Sequence, residues 1–432
     1  MTRTMRYFGV LTGFALVLSA FAVLGEDWPQ WRGLHRDAKV EGFNAPKTWP
    51  KALAKKWSAT VGVGVSSPVL VGNRVYAFGR IGDDEVTTCI DAAKGSVLWH
   101  DKYATRAVAS PANGYSGPRA TPAVADGKVY TLGVNGVVSC LDAESGSVVW
   151  RKETGEKPRF ATSMSPLVAE GKCVVFLGSL VAFDAATGDV KWKGPSGTPY
   201  GSPVLMKADG VTQIVTPTEK TLDGVDLADG KVLWQTKLPT GGYTVNYSTP
   251  IIDGQTVIYI SPGRGAGGSS TAYKIAKDGA AFKATELWKS TGAYQYNTPV
   301  LKDGALFGLS PQKNFYCQDA KTGKVLWTDD TSRGEAGGVV SAGSVILAVT
   351  GPASPGGGAK GKGKGKGMGM GGKGGEKASG DSELVAFEPD RAGYKELAKY
   401  KLTPGPGLAY PIITGNRVFV KGNTDVTLFT ID

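Results

Sequence analysis

Few side chains in this 432-residue chain are of the kind that breaks bonds. There are two histidines, His35 and His100, and neither stands near a serine or cysteine that would make a nucleophile and its base. Cys89, Cys140, Cys173 and Cys317 show no metal-ligand spacing. One dense acidic run, Asp83-Asp84-Glu85, reads as a solvated turn. What remains is aromatic and polar: Tyr200, Tyr243, Tyr247, Tyr294 and Tyr296, with Asn246 and Asn297 beside them, Arg119, and Arg264 in a Gly-rich stretch. Tyrosine offers an apolar face with a polar tip, while amides and guanidinium offer directional hydrogen bonds. That set suits the binding of a peptide, a glycan or a flat aromatic ligand, and it supplies neither a catalytic group nor a metal site.

These residues recur in step with a repeat that must position them. Its clearest copy is Asp319-Ala320-Lys321-Thr322-Gly323-Lys324-Val325-Leu326-Trp327. Further copies run Asp91 to Trp99, Asp142 to Trp150, Asp184 to Trp192 and Asp226 to Trp234. Each reads as a tight turn between two strands, with Asp capping it, Gly at a positive φ and a short apolar run ending in Trp. Trp57 and Trp288 extend the tryptophan series, which should stack against neighbouring units. A second marker follows each Trp: Ser67-Pro68, Thr121-Pro122, Ser165-Pro166, Ser202-Pro203, Thr249-Pro250, Thr298-Pro299 and Tyr410-Pro411. The position three before each proline reads Val65, Arg119, Ser163, Tyr200, Tyr247 and Tyr296. The tyrosines therefore occupy one equivalent position in three successive units.

Each unit holds four strand-like runs, in the first Val69-Val71, Arg74-Phe78, Val86-Ile90 and Val97-Trp99. Four short strands per ~40–50 residues describe a propeller blade. The units number eight. The C-terminus stops at a third-strand marker, Leu428 to Asp432, and the N-terminus opens with a Trp strand, Lys55 to Thr60, that has no blade of its own. The two ends should complete one blade and close the ring, removing open sheet edges. The expected fold is all-β, an eight-bladed propeller of four-stranded antiparallel blades over residues 51–432. In it, the position three before each proline enters the funnel on the face that carries the blade-to-blade loops. The cysteines two residues before the Asp markers fall at equivalent positions in different blades, too far apart for a disulfide.

Outside the ring, Met1 to Gly25 has a basic head at Arg3 and Arg6, an apolar stretch and small residues at its end, the layout of a secretory signal peptide cut after Gly25 or Ala22. An uncleaved anchor is the alternative. The chain is expected to be exported, periplasmic or secreted, without a lipid-bearing cysteine. Residues 26–50 should pack onto the ring. Much of the formal charge of +11 comes from Lys360, Lys362, Lys364, Lys366, Lys373 and Lys377 in a Gly-Lys-Met insertion at 352–382. Such a tract cannot bury enough to order itself and reads as a tolerated loop, with weak electrostatic contact to anionic surfaces as its other reading. No motif for specific nucleic-acid binding accompanies it.

The pattern D-A-x-[TS]-G-x-V-x-W followed by [ST]-P-V resembles the PQQ-like (pyrroloquinoline-quinone-like) repeat, from about residue 50 to the end. Asp27-Trp28-Pro29-Gln30-Trp31-Arg32-Gly33 resembles the opening motif of its exported bacterial members. The resemblance implies two function classes. One is a non-catalytic, cofactor-free scaffold of the cell envelope, expected to be a monomer, that docks partner proteins as in outer-membrane β-barrel assembly. The other is a quinoprotein alcohol dehydrogenase, implying pyrroloquinoline quinone with calcium in the central funnel. Members of the second class commonly carry adjacent cysteines by the cofactor, and this chain has none. The scaffold is the stronger expectation.

Overall fold

The repeated turn closes by the same bonds each time. In the computed structural model, Asp142 Oδ1 accepts the backbone N–H groups of Glu144 (3.1 Å) and Ser145 (2.8 Å), and the Gly146 N–H returns to the Asp142 carbonyl (2.9 Å). Gly146 takes φ +75°, and a Cβ added there would lie 2.5 Å from the Trp99 ring of the preceding unit. Glycine is required for the turn and for the contact together. Asp91, Asp184 and Asp319 accept the same pair of N–H groups. These donors favour the charged form and hold the Asp91 and Asp142 carboxyls below the usual carboxylate range.

The structure describes residues 26–40, 42–107, 116–154, 161–197, 199–238, 246–261, 268–291, 297–310, 312–334, 337–352 and 380–432. These form eight antiparallel sheets of four strands, one of which gains a fifth. We number the blades by their innermost strands: Val69–Val71, Ala123–Ala125, Leu167–Ala169, Val204–Ala208, Ile251–Asp253, Val300–Lys302, Gly337–Ala342 and Ile412–Thr414 for blades 1 to 8. Blade 8 takes its outermost strand from the other end of the chain: Ala54–Thr60 pairs with Asp425–Thr430, Trp57 facing Leu428. The ring closes as its two ends imply. There is no helix among the described residues. The buried clusters lie mostly between blades, Cys140 and Cys173 in the one shared by blades 2 and 3. All four cysteines are free and buried, packed as small apolar groups.

Two belts join the blades. In the outer belt an indole N–H donates to a carbonyl in the next blade's Asp turn: Trp57 to Ala92 (3.1 Å), Trp99 to Ala143 (3.3 Å), Trp150 to Ala185 (3.0 Å), Trp192 to Leu227 (3.2 Å), Trp288 to Ala320 (3.0 Å) and Trp327 to Asp390 (2.8 Å). In the inner belt, the Ser/Thr of five Ser/Thr-Pro markers accepts a backbone N–H from the preceding blade. Tyr410 donates to Ser67, Ser67 to Thr121, Thr121 to Ser165, Ser165 to Ser202, and Thr249 to Thr298, at 2.8–3.2 Å.

Trp234 departs from the expected pattern. It packs at the seam with blade 5, but its indole donates to Gln213 Oε1 of its own blade (2.6 Å). The facing turn, Lys277-Asp278-Gly279, is the tip of a longer hairpin, Ser269–Asp278 with Ala281–Thr291, and offers no alanine carbonyl at that height. Where the belts are intact, the Trp carries the seam. Trp150→Ala should therefore destabilise the ring by about 3–5 kcal/mol, as a large core truncation. Equilibrium urea unfolding checks this, and a loss under about 1 kcal/mol would contradict the packing described.

Candidate functional site

The centre of the ring is filled by the segment that precedes it. Asp27 Oδ1 accepts the Gly72 N–H (2.8 Å) at a turn of the lower face, and the chain then climbs the inner wall. Trp28 pairs antiparallel with Leu70 of blade 1, and Pro29 accepts the Val124 N–H of blade 2. Arg36 donates to the Ser165 and Pro166 carbonyls of blade 3, and the Trp31 indole to Thr249 Oγ1 of blade 5 (2.9 Å). Arg32 forks to the Thr298 (2.8 Å) and Pro299 (2.9 Å) carbonyls of blade 6 and to the Tyr410 hydroxyl of blade 8. Lys39–Val40 then adds a parallel fifth strand to blade 7. This plug touches seven blades, and among the described residues no hydrogen bond runs from it to blade 4.

Every member of the Asp27 to Gly33 motif thus has a task. Gly33 sits over the Trp28 ring, where a Cβ would come within 3.0 Å of ring carbons. Arg32, Arg36 and Ala38 take φ of 58–60°, a left-handed conformation that non-glycine residues adopt at a cost of ~1–3 kcal/mol each. The carbonyls captured by the two guanidinium groups offset that strain. Both are almost fully buried, and neither forms an ion pair among the described residues. Burial pulls Arg36 down to about 9. Tyr410 stands where other copies have Ser or Thr. Its backbone keeps the belt, while its hydroxyl crosses the axis to the Thr298 carbonyl (2.9 Å), with Trp31 edge-on to its ring at 4.8 Å. The substitution at the Ser/Thr slot was visible in the sequence; nothing there distinguished Arg36.

Above the plug, the position three before each proline is half-buried in every described copy: Val65, Arg119, Ser163, Tyr200, Tyr247 and Leu408. Four of these form a continuous arc over blades 2 to 5. The Ser163 hydroxyl donates to the Tyr200 carbonyl (2.9 Å), and the Tyr200 N–H to the Asn246 carbonyl (2.9 Å), beside Tyr247. Burial lowers the Arg119 pKa, and nearby Tyr200 partly restores it. Asn246 and Asn297 sit next to the arc but are buried, their amides donating to the Thr218 and Gly337 carbonyls. They brace the loops. Tyr243, Arg264, Tyr294 and Tyr296 lie outside the described residues, as do residues 1–25 and most of the Gly-Lys tract.

Asp83-Asp84-Glu85 is not wholly the solvated turn the sequence suggests. Glu85 is fully buried between blades 1 and 2, accepting from the Tyr103 hydroxyl (2.6 Å) and the Val134 N–H (3.0 Å). Burial raises its pKa against those two hydrogen bonds. Arg151 stacks on the Tyr103 ring and pairs with Asp101, completing a sealed network. Glu85 already belongs to the strand Asp84–Asp91, whose successive residues are buried on both faces, and its face of that strand is the one blade 2 covers.

A family model described as Outer membrane protein assembly factor BamB matches residues 82–329. The chain belongs to this family of PQQ-like propellers. The BamB of Yersinia pestis is 25% identical over 228 residues, 48% of this chain and 55% of that protein. That of Xanthomonas campestris pv. campestris is 27% identical over 295 residues, 50% of this chain and 72% of that protein. The chain thus spans only about half the length of the Yersinia relative. The crystal structure of BamB from Moraxella catarrhalis superposes with a TM-score of 0.62 at 15% identity, covering 88% of this chain and all of that one, a likeness of fold.

Two outcomes follow from the plug and its rim. Arg32→Lys cannot span blades 6 and 8 with one compact ammonium and should destabilise the ring by about 2–3 kcal/mol in urea unfolding. A change under about 0.5 kcal/mol would show that the fork is dispensable. Lys421 is buried on blade 8, its ammonium donating to the Gly62, Gly422 and Asn423 carbonyls, and burial pulls it down to about 8. Between pH about 8 and 10.5 the unfolded chain keeps a proton there that the folded chain has released, so stability rises with pH through that window. Below about 8 both states are protonated and the slope vanishes. Relative to Lys421→Met, the native protein should gain in melting temperature over that window; parallel curves would refute the assignment.

Proposed function

We propose that this protein is an exported, non-catalytic propeller scaffold of the cell envelope that takes part in outer-membrane protein assembly. The upper, funnel face would dock a protein partner there, with Arg119, Tyr200 and Tyr247 in contact. Family membership supports the setting, and one observation of this chain carries the scaffold reading: the axis is filled by its own N-terminal plug. Trp31 and Arg32 cross the channel at the level of the Ser/Thr-Pro turns, where the alternative reading would need room for a planar quinone. The groups at that level are backbone carbonyls, hydroxyls and two cationic guanidinium groups, a poor donor set for a calcium ion, which prefers several carboxylate and carbonyl oxygens. The residues present do not fit the quinone and its metal, and no chemical step is assigned to them.

A closed ring suits docking. Belts run beneath most of the described rim, which lowers the ordering cost of association there. The arc over blades 2 to 5 mixes aromatic rings with an arginine, the residue types that dominate protein–protein contacts.

Thermal-shift titration with pyrroloquinoline quinone plus calcium should leave the melting temperature unchanged. A ligand at 100 times its dissociation constant would stabilise by about 2.7 kcal/mol, so a clear upward shift would overturn the cofactor-free reading. A photo-crosslinking residue at Tyr247 should capture an outer-membrane assembly protein in envelopes, while one at Lys321 on the lower face should not. Equal capture at both positions, or at neither, would count against the funnel face.

A further inference from the structure

Seven of the eight seams are secured by a Trp link, a Ser/Thr link or the plug, and most by more than one. The seam between blades 4 and 5 lacks all three. Trp234 turns back to Gln213, and among the described residues no bond joins Ser202 to Thr249 and no hydrogen bond runs from the plug to blade 4. Among the described residues its ties are of other kinds: the Tyr200 and Gly201 N–H groups to the Asn246 carbonyl, the Asn246 amide to the Thr218 and Glu219 carbonyls, Tyr273 with Thr236, the Gln255 amide and the Lys277 N–H to Asp209, and a shared apolar cluster.

The same seam is frustrated. Gln213 Nε2, Asn246 Oδ1, Ser248 Oγ, Tyr259 OH, Ser261 Oγ and Ser269 Oγ are all buried without a hydrogen-bond partner. Strand alternation and packing put them there. Tyr259 shares its face with Val257 and Tyr273, which pack against Val204, Val215 and Leu222 of blade 4. Ser261 and Ser269 are cross-strand partners two residues further along that face. Each such group costs ~1–3 kcal/mol in unmet hydrogen bonding, and water reaching the seam would relieve it. Parting any seam costs its bonds and apolar packing, but only parting this one returns hydration to so many groups that have no partner.

We propose that the ring opens preferentially at the seam between blades 4 and 5, which acts as a built-in gate. Tyr200 stands on one side of it and Tyr247 on the other, so opening changes the spacing of the aromatic arc. That consequence rests on the docking reading; the opening itself does not.

The native cysteines supply internal references. Cys89 lies in the seam between blades 1 and 2, Cys140 and Cys173 between 2 and 3, and Cys317 between 6 and 7, all buried. Thiol labelling of the folded full-length protein carrying Ser269→Cys, with sites resolved by mass spectrometry, reads local opening at each. Position 269 should label at least ten times faster than every native cysteine. Less than a tenfold difference overturns the proposal, and Ser261→Cys provides the same comparison should the first variant fold poorly. Gly201→Ala would place a Cβ 2.3 Å from the Ser248 carbonyl across the seam. It should quicken labelling at 269 further while leaving the native thiols unchanged. Equal acceleration everywhere would mean global loosening and would also overturn the gate.

Discussion

The architecture depends on one contact made over and over: an indole laid on a glycine of the next blade, its N–H satisfied by a carbonyl of the same turn. A single four-stranded blade is too small to bury a tryptophan. Most blades therefore lend a Trp to the next, and an open row would leave one ring exposed and one glycine turn uncovered. Closure resolves both ends. Trp57, from the N-terminal strand, caps the Ala92–Gly95 turn of blade 1 while its own strand pairs with the last strand of the chain. Long-range pairing of the termini is thus demanded by the same geometry that builds every interior seam.

The ring leaves a channel, and the segment from Asp27 to Val40 fills it. Two buried guanidinium groups without ion pairs are an unusual way to do so. They work because paired carbonyls of blades 3 and 6 face the plug, and each planar fork takes an adjacent pair at once. Left-handed backbone at Arg32, Arg36 and Ala38 is the conformational cost of turning the plug within so narrow a space. The result is a ring braced along its axis, whose upper rim carries the half-buried aromatic arc.

Symmetry makes the exceptions informative. Six copies of the indole–carbonyl link and five of the Ser/Thr link set a standard, and the seam between blades 4 and 5 misses it in three separate ways. A local hairpin extension, an indole turned inward and a sector without plug contacts coincide there, next to the two tyrosines of the arc that the structure describes. Frustration concentrated in one sector beside a candidate docking rim is what a movable element requires, since rigid seams elsewhere keep the rest of the ring in register.

Fold, blade number and closure could be read from the chain because they follow from local rules repeated at a fixed period: a capped Asp–Gly turn, an apolar run, a Trp, a Ser/Thr-Pro. Periodicity also brought Arg119, Ser163, Tyr200 and Tyr247 to equivalent positions, and the ring does join them in one arc. Single residues whose fate depends on distant neighbours were not legible. Asn246 and Asn297 resemble ligand-facing amides in sequence, yet each is drawn to a backbone carbonyl across a loop. Glu85 resembles a solvated acid, yet blade 2 closes over it. Nothing local told that Asp27 to Gly33 would thread the axis, because its partners lie up to several hundred residues away. What each blade is can be read along the chain, because it is written in short-range hydrogen bonding and hydrophobic alternation. What fills the centre, and which seam keeps unpartnered polar groups, emerges only in the folded ring, because both are set by groups that meet after it has closed.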